Sequence, residues 1–133
     1  MPFKKTASSP LEIELQQVAS GHGFSPKVLS VNGLDFEMED LAAPCLADVY
    51  GDDINKIPMD IWYEIIRILE TLYEVEGIEY IDITPYNFIE TQGKVWIIDF
   101  GHAYYTKDIK KPANWFLRDL LDSDGKAWNP DFA

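Results

Sequence analysis

Asp82 and Asn87 stand five residues apart in the stretch Tyr80-Ile-Asp-Ile-Thr-Pro-Tyr-Asn-Phe-Ile89, and Asp99 closes the apolar run Val95-Trp-Ile-Ile98 just ahead of Phe100-Gly101. All three side chains carry oxygen, the donor that hard cations prefer. Magnesium takes oxygen ligands, usually one or two from protein and the rest from phosphate and water. A carboxylate can also orient a hydroxyl group and accept its proton. A loop that aims Asp82 and Asn87 into one cleft, joined there by Asp99 from the end of a buried strand, holds the groups that phosphoryl transfer requires. Taken singly, each signal is common. Asp and Asn in loops mostly cap turns, and Asp-Phe-Gly is most often a turn after a strand. In this order, with a turn-sized gap between two short strands, they form one set.

The elements that must position these groups follow from local pattern. Residues 2–7 read as an edge strand. Ser8 and Ser9 ahead of Pro10 read as a serine-capped helix start, and apolar residues at Leu11, Leu15, Val18 and Ala19 have helical spacing up to Ser20-Gly-His-Gly23. Strands are expected over Pro26–Val31 and Leu34–Met38, joined by a turn at Asn32-Gly33, with a short helix around Cys45–Tyr50. Pro58 and Asp60 open the clearest helix, whose apolar face is Ile61, Trp62, Ile65, Ile66, Leu69, Leu72 and Tyr73, and Gly77 stops it. Tyr80–Tyr86 is a loop. Phe88–Glu90 and Lys94–Ile98 form a hairpin across Gln92-Gly93. Trp115–Leu121 reads as a short amphipathic helix, and the tail from Trp128 to Ala133 has no regular period. The whole is a single α+β domain over residues 1–133.

This set resembles the protein kinase superfamily. The catalytic-loop pattern of Asp, four residues and Asn falls on Asp82 and Asn87, and the Asp-Phe-Gly motif falls on Asp99, Phe100 and Gly101. The order of helix, loop, hairpin and Asp-Phe-Gly matches too. The resemblance implies a truncated kinase-like core: partial N-lobe strands and helix, hinge, long helix, catalytic loop, hairpin and short final helix. It implies that Asp82 is the catalytic base, that Asn87 and Asp99 are magnesium ligands, and that Phe100 packs beneath the site. It also implies a strand Lys paired with a helix Glu at the phosphates. Lys5 and Glu12 suit those roles, with Lys4 and Glu14 as close rivals; the alternative is a frayed terminus beside a solvated helix face. Met38-Glu39-Asp40-Leu41 looks like the hinge that holds the adenine, with Met38 as gatekeeper, or else is an ordinary exit from a strand.

The pattern also breaks in places. The family's Gly-rich loop lies two strands before its Lys, yet only three residues precede Lys4 in this sequence. The family's His-Arg before the catalytic Asp is Tyr80-Ile81, and the Lys often found two residues after it is Thr84. No Ala-Pro-Glu follows Gly101, and only 32 residues remain after it. Small viral and bacterial effector kinases are trimmed in a similar way. The expected function is therefore that of a minimal Ser/Thr protein kinase using ATP and Mg2+. The alternatives are a pseudokinase-type binding module and a small-molecule phosphotransferase. A partner chain that completes the nucleotide lid is a further expectation.

Composition narrows the remaining classes. The 133 residues carry a net charge of −12, so nucleic acid and anionic membranes are disfavoured partners and a basic protein substrate or partner is favoured. Cys45 is the only cysteine, which excludes an internal disulfide and fits a reducing, cytoplasmic setting. Residues 1–14 hold no apolar run of signal-peptide type. His22 and His102 have no partners at zinc spacing and read as loop residues. Tyr104, Tyr105 and Thr106 lie where an activation segment would begin but read as packing and surface residues, and Lys107, Lys110 and Lys111 as a solvated loop. Trp115, Phe116, Trp128 and Phe132 are expected to bury against the long helix; exposed, they would form a partner patch.

Overall fold

A computed structural model describes residues 2–111 and 115–132. Strand β1 (Phe3–Thr6) leads into helix α1 (Pro10–Gly21), followed by the hairpin β2 (Val28–Asn32) and β3 (Asp35–Met38). These strands form one antiparallel sheet in the order β1-β3-β2, with Lys5 opposite Phe36 and Phe3 opposite Met38. Pairing of Asn32 with Asp35 shifts the expected turn by one residue, onto Gly33-Leu34. Gly33 takes φ +64° there, as a two-residue hairpin with glycine in its first central position requires. Ala7 and Ile13 pack with Phe36 and Met38, and so fasten α1 to the sheet.

Ser9 stands at the expected start of α1, but its side chain makes no capping bond. Ser8 and Glu12 tie the helix start together in another way. The Ser8 main-chain N–H and hydroxyl both donate to Glu12 Oε1, at 3.0 and 3.1 Å. A carboxylate in the first helical turn also meets the positive end of the helix dipole.

A short helix, α2 (Leu46–Tyr50), and a 3-10 turn at Ile54–Lys56 precede the long helix α3 (Met59–Glu76). Ile61, Trp62, Ile65, Ile68, Leu69 and Leu72 form the buried face of α3. Ile68 thus takes a core place that the spacing had given to Ile66, which is only partly buried. Gly77 ends α3 in the left-handed region at φ +67°, donating its N–H to the carbonyls of the last turn. Two strands of two residues each escaped the sequence pattern: β4 (Ile78–Glu79) pairs with β7 (Tyr104–Tyr105). The hairpin β5 (Phe88–Thr91) and β6 (Lys94–Ile97) turns at Gln92-Gly93, where both residues have positive φ.

The expected helix over 115–121 is instead a π-helical turn, Phe116–Leu120, running into a 3-10 turn, Leu121–Ser123. Phe116 still packs edge-on against Tyr73 of α3, and Trp128 packs against Trp62 at 4.6 Å between ring centroids. The principal core joins α3 to Leu15, Leu46, Tyr80, Phe88, Ile97 and Phe100. No helix among the described residues is long and apolar enough to cross a membrane.

Gly77→Ala tests the stop of α3. An added methyl would meet only Thr106 Oγ1, at 3.6 Å, so the cost is conformational rather than steric. The expected loss is about 1–2 kcal/mol in urea unfolding; a loss near zero would show that the last turn readjusts freely.

Candidate active site

The site begins at the end of β1. Side chains alternate across a strand, so Lys4 and Lys5 point to opposite faces. Lys4 remains exposed, 3.9 Å from Glu37. Lys5 turns inward, and its Nζ lies 2.8 Å from Glu12 Oε2 and 3.3 Å from Asp99 Oδ1. Glu12 is only 3% exposed. Removing the Lys5 ammonium would leave a buried carboxylate without its countercharge, which is strongly destabilising in general. Glu14, the rival acid, interacts instead with Tyr105, whose phenol is pushed up to about 12 by burial and then by the Glu14 carboxylate.

Asp99 arrives at the end of β6 with its backbone in the left-handed region, φ +65°. Asp tolerates that conformation better than most residues, at a cost. The bend returns Oδ1 to accept from Gly101 N–H at 3.2 Å as well as from Lys5. Gly101 is needed for close approach: a Cβ there would sit 3.2 Å from Glu12 Oε1 and 3.3 Å from Asp99 Oδ1. Phe100 is buried and meets Tyr80 edge-on, with ring centroids 5.2 Å apart. Tyr80 in turn donates its hydroxyl to the Ile98 carbonyl at 2.6 Å, one residue before Asp99. Burial raises the Tyr80 phenol well above its ordinary range, so it remains a donor. Tyr80 is a site-building residue that its sequence context did not single out.

The 80–87 loop brings Asp82 and Asn87 to the same place. Asn87 donates Nδ2 to the Asp82 carbonyl at 2.9 Å, and its own main-chain carbonyl accepts from Ile98 N–H at 3.0 Å. The first contact fixes the amide orientation and turns Asn87 Oδ1 away from the Asp82 carbonyl. Asp82 is half-buried, and its carboxyl is raised above the usual range, first by burial and then by the Asp99 charge; His102, Asn87 and Lys5 act in the opposite direction.

A cleft of about 370 Å³ lies over these groups. Lys5, Asn87 and Asp99 form its polar end, while Met38, Ile89 and Ile98 are among its apolar walls. Glu39, Asp40, Leu41, Ala42 and Ala43 line one rim. Of the main-chain N–H groups on that rim, Glu39 donates to the Lys27 carbonyl and Ala42 to the Asp40 carboxylate. Met38 is buried, its sulfur accepting from Gln16 Nε2 at 3.3 Å. Among the expected site residues, Asp82, Glu12, Phe100 and Gly101 support the cleft without lining it.

Among the described residues, no three His, Cys, Asp or Glu side chains are grouped closely enough to hold a metal ion on their own. The donors at the polar end are one carboxylate, Asp99, and one amide oxygen, Asn87. Such a set fits a magnesium ion that brings phosphate oxygens with it, and does not fit a resident structural metal. The His102 ring packs against Phe132 at 5.0 Å.

A lysine shared by a helix glutamate and the aspartate of Asp-Phe-Gly, beside an Asp–Asn loop and under a sheet, belongs to a kinase-like domain. Residues 22–122 match the RIO domain family, and the chain belongs to that family, a branch of the atypical protein kinase superfamily. Asp82, Asn87 and Asp99 fall within the matched span; Lys5 and Glu12 precede it. As a family, RIO kinase domains bind ATP with Mg2+. A comparison with curated proteins finds no match.

The raised Asp82 carboxyl sets the sign of a stability test. A carboxyl whose folded value lies above its unfolded one, near 4 (roughly the ordinary Asp value), takes up protons on folding. Its contribution is fully present below the unfolded value and is lost as pH rises through the folded one. Asp82→Asn removes that loss. The variant's thermal midpoint should exceed that of the parent at pH 7, with the gap closing as pH falls through the folded value and gone below about 4, the ordinary Asp value. A gap that is constant with pH, or reversed, would refute the assignment.

Proposed function

We propose that the cleft binds ATP with magnesium and that the chain transfers the γ-phosphoryl group to a protein hydroxyl, as a kinase of Ser/Thr type. The observation that supports this most is the Lys5 ammonium, held between Glu12 and Asp99 in a cleft that also has apolar walls at Met38, Ile89 and Ile98. In this reading β1, α1 and the β2–β3 hairpin are a partial N-lobe, residues 38–41 are the hinge, and α3, the 80–87 loop and the β5–β6 hairpin belong to a reduced C-lobe.

Met38 and Ile98, both lining the cleft, would pack against the purine, and main-chain groups of the 39–41 rim other than the occupied Glu39 N–H would meet its polar edge. Asn87 and Asp99 hold the magnesium, which supplies neutralisation of the phosphate charge. Lys5, fixed in place by Glu12, lies against phosphate oxygens. Asp82 accepts the proton of the attacking hydroxyl. Its raised carboxyl makes it a stronger base than an ordinary aspartate, which suits that role at neutral pH. The chain's charge of −12 favours a basic substrate segment. The outer edge of β1 is unpaired among the described residues, and we assign it to a strand of a partner chain that completes the lid.

One observation favours a second reading, a kinase-like binding module with little turnover. Thr84 is buried. That position therefore lends no side chain to the cleft, and transition-state charge there rests on Lys5 and the metal alone.

Two measurements separate the readings. ATP with magnesium, at 100 times its dissociation constant, should add about 2.7 kcal/mol of stability, and Asp99→Ala should abolish the shift. Asp82→Ala should retain the shift while phosphate transfer to a basic protein falls by roughly 10²–10⁴-fold. A magnesium-dependent shift without transfer by the parent chain establishes the binding module. No shift at millimolar ATP refutes nucleotide binding altogether. Lys5→Met should weaken ATP binding and also lower the thermal midpoint, because Glu12 loses its countercharge; an unchanged midpoint would show that the bridge carries no energy.

A further inference from the structure

The segment Trp128–Phe132 lies beyond the span that matches RIO domains, yet it is bound tightly to the loop that carries Asp82. Asn129 is 3% exposed and uses every polar group it has. Its Nδ2 donates to the Ile81 carbonyl at 2.7 Å, and its main-chain N–H donates to the Ile83 carbonyl at 2.8 Å. Its Oδ1 accepts from Asp131 N–H at 3.1 Å, and its carbonyl accepts from Phe132 N–H at 3.1 Å. Both residues flanking Asp82 are thereby held by one side chain and its backbone. The Ile81 carbonyl also accepts from Ile83 N–H at 2.8 Å, so Asp82 sits at the apex of a three-residue turn. Such a turn, with a single internal hydrogen bond, has little to keep its central residue in one orientation unless its ends are tied down.

The rest of the segment anchors this contact. Trp128 packs on Trp62 of α3 and on Phe88, the residue after Asn87, and donates its Nε1–H to the Asp52 carbonyl at 3.1 Å. Phe132 packs on His102, three residues beyond Asp99. One short stretch of chain thus touches the surroundings of all three oxygen-bearing site residues.

We propose that Asn129 is a positioning residue for Asp82, and that the Trp128–Phe132 segment is a clasp that fixes the catalytic turn. Its catalytic half rests on the reading of Asp82 as proton acceptor; its structural half does not. Buried amides of this kind specify geometry: without the Asn129 Nδ2 donor the Ile81 carbonyl keeps only the turn's own internal bond from Ile83 N–H.

Asn129→Ala and Asn129→Asp test it in the full chain, with Ile68→Val as a core variant that loosens the fold without touching the turn. Main-chain hydrogen exchange at Ile83 and Asn87 should accelerate at least tenfold in both Asn129 variants, relative to α3 amides in the same protein. It should not do so in Ile68→Val. Exchange that is unchanged at residues 81–87, or that rises equally in α3, overturns the clasp whether or not the chain turns over ATP. In the transfer assay both Asn129 variants should lose at least tenfold in kcat with KM for ATP unchanged. Loss in KM alone, or wild-type kcat in Asn129→Asp, which keeps the size but replaces the donor, overturns the positioning role. A parent chain without transfer would refute the kinase reading and leave the exchange measurement to decide the clasp.

Discussion

One ammonium group, that of Lys5, ties three elements together at the polar side of the cleft. It reaches from β1 to Glu12 at the start of α1 and to Asp99 at the end of β6. Glu12 is buried, and its second oxygen is taken up by Ser8. The carboxylate is therefore tolerated in the interior only because it has a countercharge and hydrogen-bond donors together. Lys5 retains some exposure on the cleft side. It is thus fixed in direction yet open to a ligand, the combination that a preorganised electrostatic site requires.

Beneath the charged layer lies an aromatic one. Tyr80 contacts both Phe88 and Phe100, and Phe88 contacts Trp128. These rings sit directly under the residues of interest: Phe88 follows Asn87, Phe100 follows Asp99, and Tyr80 precedes Asp82 by two positions. Large flat side chains have few rotamers to lose, so a small domain can hold a polar site steady with little core. The family's usual His at this place is replaced by Tyr80, and the tyrosine hydroxyl binds the Ile98 carbonyl from within the core.

The sequence made some of this legible and concealed the rest for physical reasons. Asp82, Asn87 and Asp99 stood out because side-chain chemistry and strand-turn punctuation coincide there; Asn87 and Asp99 line the cleft, and Asp82 stands behind them. Helices α1 and α3 were marked by apolar spacing and by Pro10 and Gly77. The choice between Lys4 and Lys5 depended on which face of β1 is covered, and a strand of four residues with two adjacent lysines gives no hint of that. Strands β4 and β7 are too short for any period. The Phe116–Leu120 turn has helical spacing, and apolar spacing over five residues does not separate a π turn from an α one. Asn129 was invisible because its side chain binds a main-chain carbonyl 48 residues away, a relation that no local pattern encodes.

The left-handed backbone at Asp99 limits how this domain can change over evolutionary time. Only Gly, Asn and Asp occupy that region readily, and a β-branched residue there is a genuine outlier. Drift away from the carboxylate is therefore channelled. Asn or Gly can replace it with little backbone strain, whereas Val, Ile or Thr would add strain as well as remove the charge. A descendant that had given up its chemistry but kept its architecture would carry the mark of that constraint in the single residue standing there.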